Sequence, residues 1–168
     1  TWNNFGYFKY DNMDEYAYTS NNFKTGEEET ALPSFVNYVD GIYVGYRFYE
    51  TAAAEGLINY DDTVVYPFGY GLSYTTFTQE MGAISEDNGT ISFDVTVTNT
   101  GDVAGKDVVE VYYNPPYTNG GIEKASANLI QFEKTEVLQP GDSQTITVSF
   151  DAEDMASYDT YGAGCYVL

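Results

Sequence analysis

The chain has 168 residues, of which 26 are acidic and 6 basic, so its formal net charge is −20, and it contains no histidine. Without histidine there is no Ser-His-Asp triad, no histidine-based zinc site and no imidazole that titrates near neutral pH. Nucleic acid is excluded as a partner because the few basic residues are scattered singly and cannot neutralise a phosphate backbone. The single cysteine, Cys165, excludes an internal disulfide and a thiolate metal cage.

The composition is typical of a packed, well-solvated protein. Hydrophobic residues make up 43% of the chain and aromatic residues 17%, which suffices for a core and favours strands. No run of apolar residues is long enough to span a bilayer, so no membrane insertion is expected. No cofactor is expected, and the acidity together with many Tyr, Asn and Thr residues favours a secreted or cell-surface setting over the cytoplasm.

The first half of the chain predicts one helix. Residues 1–35 are expected to form loops with aromatic anchors, whereas the run from Tyr43 to Glu55 is predicted to be helical and to end at Gly56 in a left-handed conformation. Three alanines in succession, 52–54, support the helix through their high propensity. Tyr46, Tyr49 and Ala53 are predicted to share its packed stripe. The segment 64–72 is predicted to be extended.

The sequence changes character near Phe77, where a domain boundary is predicted between 1–76 and 77–168. The clearest strand runs from Thr90 to Asn99, in which apolar and polar residues alternate. Turn residues separate six candidate strands at 73–78, 90–99, 106–114, 128–138, 143–150 and 164–168, with a bend or bulge expected near Lys134. The pattern predicts a mainly β fold, an antiparallel sandwich of the immunoglobulin or fibronectin type III kind. Such a sandwich needs about seven strands, so a further edge strand is expected beyond Leu168.

Carboxylates are the only catalytic groups that this composition offers in quantity. A glycosidase needs two of them at a defined separation. The close groupings in the first half are also explained as solvated surface, because acidic residues are so frequent. No metal site is predicted, since the Asp11–Glu15 run lacks the spacing and the glycine of a calcium loop. The groupings are Asp61 with Asp62, Asp11 with Asp14 and Glu15, and Asp40 with Glu50.

Arg47 is the only arginine and lies in an aromatic context, where a guanidinium can hold a carboxylate while stacking on rings. We interpret it as a structural clamp, with direct ligand contact as the alternative. Asn88-Gly89-Thr90 fits both an N-glycosylation sequon and a hairpin turn. The aromatic residues near the start of the chain are either loop anchors or a sugar-stacking platform: Trp2, Phe5, Tyr7, Phe8 and Tyr10.

Several long strings resemble the later part of glycoside hydrolase family 3, which contains β-glucosidases and β-xylosidases. The most specific is YPFGYGLSYTTF at 66–77, preceded by DGIYVGYRFY at 40–49. The insert PPYTNGGIEKA at 115–125 is similar to bacterial, clostridial-type members. Three further strings resemble the family's fibronectin type III-like domain: VTVTNTGDVAGKDVVEVYYNPP at 95–116, FEKTEVLQPGDSQTITVSF at 132–150 and DMASYD at 154–159.

The resemblance implies a non-catalytic part of a retaining enzyme that hydrolyses β-glycosidic bonds. In the family, a (β/α)8 barrel supplies an aspartate nucleophile and an α/β sandwich domain supplies a glutamate acid/base. By this analogy residues 1–76 are the tail of the α/β sandwich domain plus a linker, and 77–168 are most of the fibronectin-like domain. No catalytic residue can be assigned here, so the chain alone is expected to be inactive. Its partners would be the remaining domains of the parent and, through them, a β-glucoside or oligosaccharide.

Within that picture, Phe68, Tyr70 and Tyr74 are predicted to pack the linker against the sandwich. Two other functions stay open. The chain could be a stand-alone carbohydrate-binding or adhesion module, as its aromatic first 35 residues suggest. Alternatively, it could be a surface or filament subunit that forms homo-oligomers by pairing an exposed strand edge near Leu168.

Overall fold

A computed structural model of the chain describes residues 41–168. The predictions for the loops at 1–35, the early aromatic residues and the acidic residues Asp11, Asp14, Glu15 and Asp40 lie outside the described residues. Gly45–Leu168 form one compact unit. The helix and the linker thus pack in the same unit as the strands. The predicted boundary at 76/77 concerns domain ancestry and stays a prediction.

The predicted helix is present as α1, Tyr46–Ala54. It starts three residues later than predicted because Gly45, at φ +61°, takes a left-handed conformation. It ends as predicted at Gly56, with φ +69°, where the N–H of Gly56 donates to Ala53 O and that of Leu57 to Ala52 O. Tyr46, Tyr49 and Ala53 are half-buried, and the fully buried residues of the helix are Phe48 and Ala52.

A short helix, α2 (Tyr60–Thr63), follows α1, and Asn59 caps it through a bond from Asp61 N. In residues 41–168 neither helix is long and apolar enough to cross a membrane.

The first sheet is built around β3, Thr90–Asn99, which was predicted with these bounds. On one side β3 pairs antiparallel with β6, Ser143–Asp151. On its other side lie β1, Phe77–Met81, and β2, Ser85–Asp87. Asn88 and Gly89, both at positive φ, form the two-residue turn between β2 and β3, which confirms the predicted hairpin turn.

The second sheet consists of β4, Val108–Tyr113, and β5, Asn128–Lys134. Their register shifts so that Tyr112 lies opposite Leu129 while Val111 lies opposite Gln131, which leaves Ile130 as the extra residue of a bulge. The irregularity predicted near Lys134 therefore lies four residues earlier. After β6, a 3-10 helix at Ala152–Met155 leads into a small hairpin of β7, Ser157–Tyr158, and β8, Tyr166–Val167.

The core lies between the two sheets. The alternation in β3 and β6 turns one face of each strand inward, and β4 contributes Val109 from the opposite sheet. This arrangement confirms the predicted antiparallel β-sandwich. The buried apolar residues of this core are Phe93, Val95, Val97, Val109, Leu138, Ile146, Val148 and Phe150.

The strand predicted at 73–78 is wrong in its bounds, and β2 was not predicted. Together β1 and β2 act as one interrupted edge strand, since Gly82 N still donates to Asp94 O in the gap between them. Four of the five residues of β1 and all three of β2 are exposed. An edge strand with so little burial has no alternation of apolar and polar residues, so the sequence pattern does not reveal it.

Candidate functional site

The helix α1 is hydrogen-bonded to the backbone that leads into β5. Leu129 N donates to the Tyr46 hydroxyl at 2.8 Å, and Ser126 N donates to Thr51 Oγ1 at 2.9 Å. Thr51 Oγ1 in turn donates to Arg47 O at 2.6 Å. These directional bonds fix both the position and the rotation of the helix on the second sheet.

The segment that follows α2, here called the linker, contacts α1 through Phe68. The region where α1 and the linker meet the second sheet is called the junction. The Phe68 ring stacks on Tyr46 with centroids 4.5 Å apart, and Tyr46 meets the Tyr112 ring edge-on at 5.9 Å. Phe68 thus packs on the helix α1, and its predicted packing on the sandwich stays a prediction. Tyr70 is half-exposed and lies 4.9 Å from Tyr66, so its partner is within the linker. Tyr74 is 98% exposed, and the predicted packing fails at this position within residues 41–168.

A tight turn sets the linker against β4. Tyr70 N donates to Pro67 O at 3.0 Å, and Gly69 between them has φ +80°. A Cβ on Gly69 would overlap the Glu110 carboxylate, which also accepts the Tyr112 hydroxyl at 2.6 Å. Both the backbone conformation and the close approach therefore require glycine.

Gly69→Ala is expected to lower the free energy of unfolding by about 1–3 kcal/mol, because the new methyl group strains a left-handed residue and displaces Glu110. Urea denaturation measures the loss. Gly71→Ala is the matched control, since Gly71 has open space around it and no positive φ, and it should change stability little. Equal effects of the two substitutions would contradict this account of the turn.

The far end of the linker is tied to Asn99, which is fully buried. Thr75 Oγ1 donates to Asn99 Oδ1 at 2.7 Å, and Gly101 N donates to the same oxygen at 3.1 Å. Asn99 Nδ2 donates to Val103 O at 2.8 Å and to Leu138 O at 2.9 Å. One side chain therefore joins the linker, the β3–β4 loop and the segment before β6. The sequence predicted Asn99 as the last residue of a strand. Gly101, two positions later, was the sequence signal for a turn in which the Asn99 side chain accepts the Gly101 N–H.

Arg47 has its guanidinium 5.9 Å from the centre of the Tyr46 ring, and its Nε is buried without a hydrogen-bond partner. In the described part of the chain the ion pair is between Lys106 and Glu136, 3.5 Å apart, and no carboxylate there forms one with Arg47. The predicted clamp on a carboxylate thus stays a prediction. The aromatic ring beside the Arg47 guanidinium is that of Tyr46.

Among the acidic residues, Asp61 and Asp62 lie exposed in α2, while Glu50 helps to raise the pKa of the Tyr60 hydroxyl. Asp159 accepts the N–H groups of Gly162 at 2.8 Å and Ala163 at 2.7 Å, and these bonds lower the pKa of its carboxyl. Asp159 therefore stabilises the turn between β7 and β8. Within residues 41–168 no three acidic or cysteine side chains cluster as metal ligands would.

Two tyrosines of the junction predict how stability changes at high pH. The Glu50 carboxylate, together with burial, raises the pKa of Tyr60 from 10 to about 12, and burial together with the Glu110 bond raises the pKa of Tyr112. Below pH 10 both folded and unfolded chains keep these protons. Between pH 10 and about 12 the unfolded chain loses the Tyr60 proton first, so stability is expected to fall as pH rises.

Urea denaturation at a series of pH values from 9 upward measures this slope. Tyr60→Phe should flatten the slope because it removes the titrating hydroxyl, and Glu50→Gln should reduce it because it removes the negative charge beside that hydroxyl. A slope in Tyr60→Phe as steep as in the unaltered protein would show that Tyr60 does not contribute.

Known proteins match most of this chain. The fibronectin type III-like domain family matches residues 107–167. β-Glucosidase A of Butyrivibrio fibrisolvens is 41% identical over 143 residues, which is 76% of this chain and 16% of that protein. A β-glucosidase of Ruminococcus albus is 42% identical over 125 residues, covering 74% of this chain and 12% of that protein.

Solved structures give the same result. β-Glucosidase 3B from Thermotoga neapolitana in complex with glucose matches with a TM-score of 0.65 and 38% identity, over 76% of this chain and 16% of that one. The glycoside hydrolase family 3 β-glucosidase of Bifidobacterium adolescentis matches with a TM-score of 0.66 and 32% identity, over 80% of this chain and 18% of that one. The chain thus spans less than one fifth of the length of these relatives. It carries a fibronectin type III-like domain at 107–167, and it is similar over about three quarters of its length to one portion of β-glucosidases, a glycoside hydrolase family 3 enzyme among them.

Proposed function

We propose that this chain is the non-catalytic, C-terminal-type portion of a retaining β-glucosidase, which hydrolyses β-glucosides or oligosaccharides through carboxylates outside this chain. One observation carries the proposal. Several β-glucosidases match three quarters of this chain at 35–42% identity, yet the chain covers only 12–16% of each of them. A portion of that size holds one fold unit and not a whole glycosidase.

The geometry supports a bracing role. A retaining glycosidase holds its two carboxyl groups about 5 Å apart, and a misplacement of about 1 Å can reduce the rate a hundredfold. Here the helix is bonded at Thr51 and Tyr46 to the second sheet, and the linker is tied at Thr75 to buried Asn99. Such a junction transmits the position of a rigid sandwich to whatever the helix and linker adjoin.

Hydrolysis of an aryl β-glucoside tests the proposal directly. We expect purified residues 1–168 to show no hydrolysis above the buffer rate, and the intact polypeptide, with a mass several times 18.7 kDa, to hydrolyse it. Activity of residues 1–168 that persists through further purification would overturn the non-catalytic assignment. An intact mass of 18.7 kDa without a catalytic partner chain would overturn the assignment to a larger enzyme.

A carbohydrate-binding module is the second candidate, and one observation favours it. A cleft beside the β7–β8 hairpin is lined by Tyr158, Tyr161 and Asp159, and the Tyr161 ring is 97% exposed. Aromatic rings with nearby polar groups stack on the apolar faces of sugars. Affinity electrophoresis in gels containing soluble β-glucan tests this function: retardation that is lost in Tyr161→Ser would support it, and unretarded migration would reject it.

A further inference from the structure

We propose that one surface of the linker is the docking site for the catalytic portion of the parent polypeptide. This surface, the linker strip, comprises residues 65–74. The inference rests on the proposed function, because it assumes that a catalytic portion exists in the same polypeptide. It concerns the side of the strip that faces away from the sandwich, whereas the sequence-based prediction concerned the side that packs on it.

The linker strip exposes apolar side chains that a free protein surface seldom presents together. Val65 is 82% exposed, Leu72 is 91% exposed and Tyr74 is 98% exposed. Three aromatic rings between them are each at least half exposed: Tyr66, Phe68 and Tyr70. Contiguous apolar exposure on this scale marks an interaction surface.

The charge pattern agrees with burial of the linker strip in an interface. The chain carries a net charge of −20, yet no charged residue occurs between Asp62 and Glu80. A carboxylate or ammonium group would have to be desolvated on docking, at a cost of several kcal/mol if left unpaired. A cleft of about 360 Å³ adjoins the strip, lined largely by Tyr46, Tyr49, Val65 and Phe68, and extends the apolar surface towards α1.

The later part of the linker strip, after Gly69, lies between two anchors. At the first end Phe68 stacks on Tyr46, and Gly69 lies against the Glu110 carboxylate. At the other end Thr75 is bonded to buried Asn99, and the N–H of Thr100 donates to Thr76 O at 2.8 Å. The chain between these anchors is therefore presented in a defined path, and docking costs less conformational entropy than ordering a free loop would.

The side-chain types distinguish the occupant. The strip has aromatic rings but also the aliphatic Val65 and Leu72 and no charged side chain to bind sugar hydroxyl groups, so it is better suited to apolar protein side chains. Because the chain covers only 16% of a relative such as β-glucosidase A, most of the parent's surface lies outside it but is covalently connected. A connected partner has a high effective concentration and occupies the strip in preference to a second copy.

Hydroxyl-radical footprinting of the intact polypeptide, read by peptide mass spectrometry, tests the proposal. Tyr161 is the internal reference, since it is as exposed in the described structure as Tyr74 and lies off the strip. We expect labelling of Leu72 and Tyr74 to be lost while labelling of Tyr161 persists. Tyr74→Asp should restore labelling at Leu72, because it would place a carboxylate in an apolar interface, whereas Tyr161→Asp should not.

The outcomes separate the two proposals. If the polypeptide is several times 18.7 kDa and hydrolyses a β-glucoside, but Leu72 and Tyr74 are labelled as fast as Tyr161, docking is overturned and the proposed function stands. Protection that vanishes on dilution would assign the strip to a second copy, and protection only with added cello-oligosaccharide would assign it to glycan; each overturns docking. An intact mass of 18.7 kDa without a catalytic partner chain overturns both proposals.

Discussion

Phe93→Ala is expected to lower the free energy of unfolding by about 3–5 kcal/mol, as for other buried phenylalanines that leave a cavity. The Phe93 ring is 8% exposed and lies in the core between the sheets, opposite Val148 of β6. Urea denaturation followed by circular dichroism measures the loss. The substitution removes core volume without touching the linker or the helix.

Phe132→Ala is the matched control, because Phe132 lies on β5 but is 69% exposed. It should change stability by no more than about 0.5 kcal/mol, as exposed substitutions commonly do. Similar losses for the two variants would mean that the core does not lie between the sheets.

Asn99→Ala is expected to lower the free energy of unfolding by about 3 kcal/mol. The substitution removes the amide oxygen and the amide nitrogen of one buried side chain. Each buried polar group that is left without a hydrogen-bond partner costs about 1–3 kcal/mol. The carbonyl of Leu138 is the buried group left unpaired, and the hydroxyl of Thr75 and the N–H of Gly101 lose their partner at part-buried positions. Because Thr75 belongs to the linker, hydrogen exchange of the linker amides should also accelerate.

Thr98→Ala provides the comparison one residue earlier on the same strand. Its hydroxyl bonds to Ser143 at an exposed position, so water replaces the lost partner and the cost should be at most about 1 kcal/mol. If Asn99→Ala were no more damaging than Thr98→Ala, the four hydrogen bonds of Asn99 would not be holding the linker end in place.

The strands that could be predicted are those whose two faces meet different surroundings. In β3 and β6 one face meets the core and the other meets water, so selection for burial leaves an alternation that is visible in the sequence. β1 and β2 have no such difference between faces, since nearly all of their residues are exposed. Their position is decided by hydrogen bonds to β3, which leave no compositional trace.

The junction was predictable only in part. The aromatic strings at 40–49 and 66–77 drew attention to the helix and the linker, but the stacking of Phe68 on Tyr46 of the helix was not predicted. The directions of Tyr70 and Tyr74 were not predicted either, because an aromatic residue suits a core and an interface equally. The bond from Ser126 N to Thr51 joins residues 75 positions apart, and no local pattern specifies such a pairing.

The sequence by itself determined the β-sandwich, the helix end at Gly56, the hairpin turn at Asn88 and Gly89, and the similarity to β-glucosidases, because each depends on local backbone preference, alternation or long specific strings. Only the tertiary structure decided that Asn99 joins three segments, that Gly69 lies on Glu110 and that the linker strip faces outward. These features arise where distant segments meet. At these places, burial and hydrogen bonding depend on residues that are distant in the sequence, so the local sequence does not specify them.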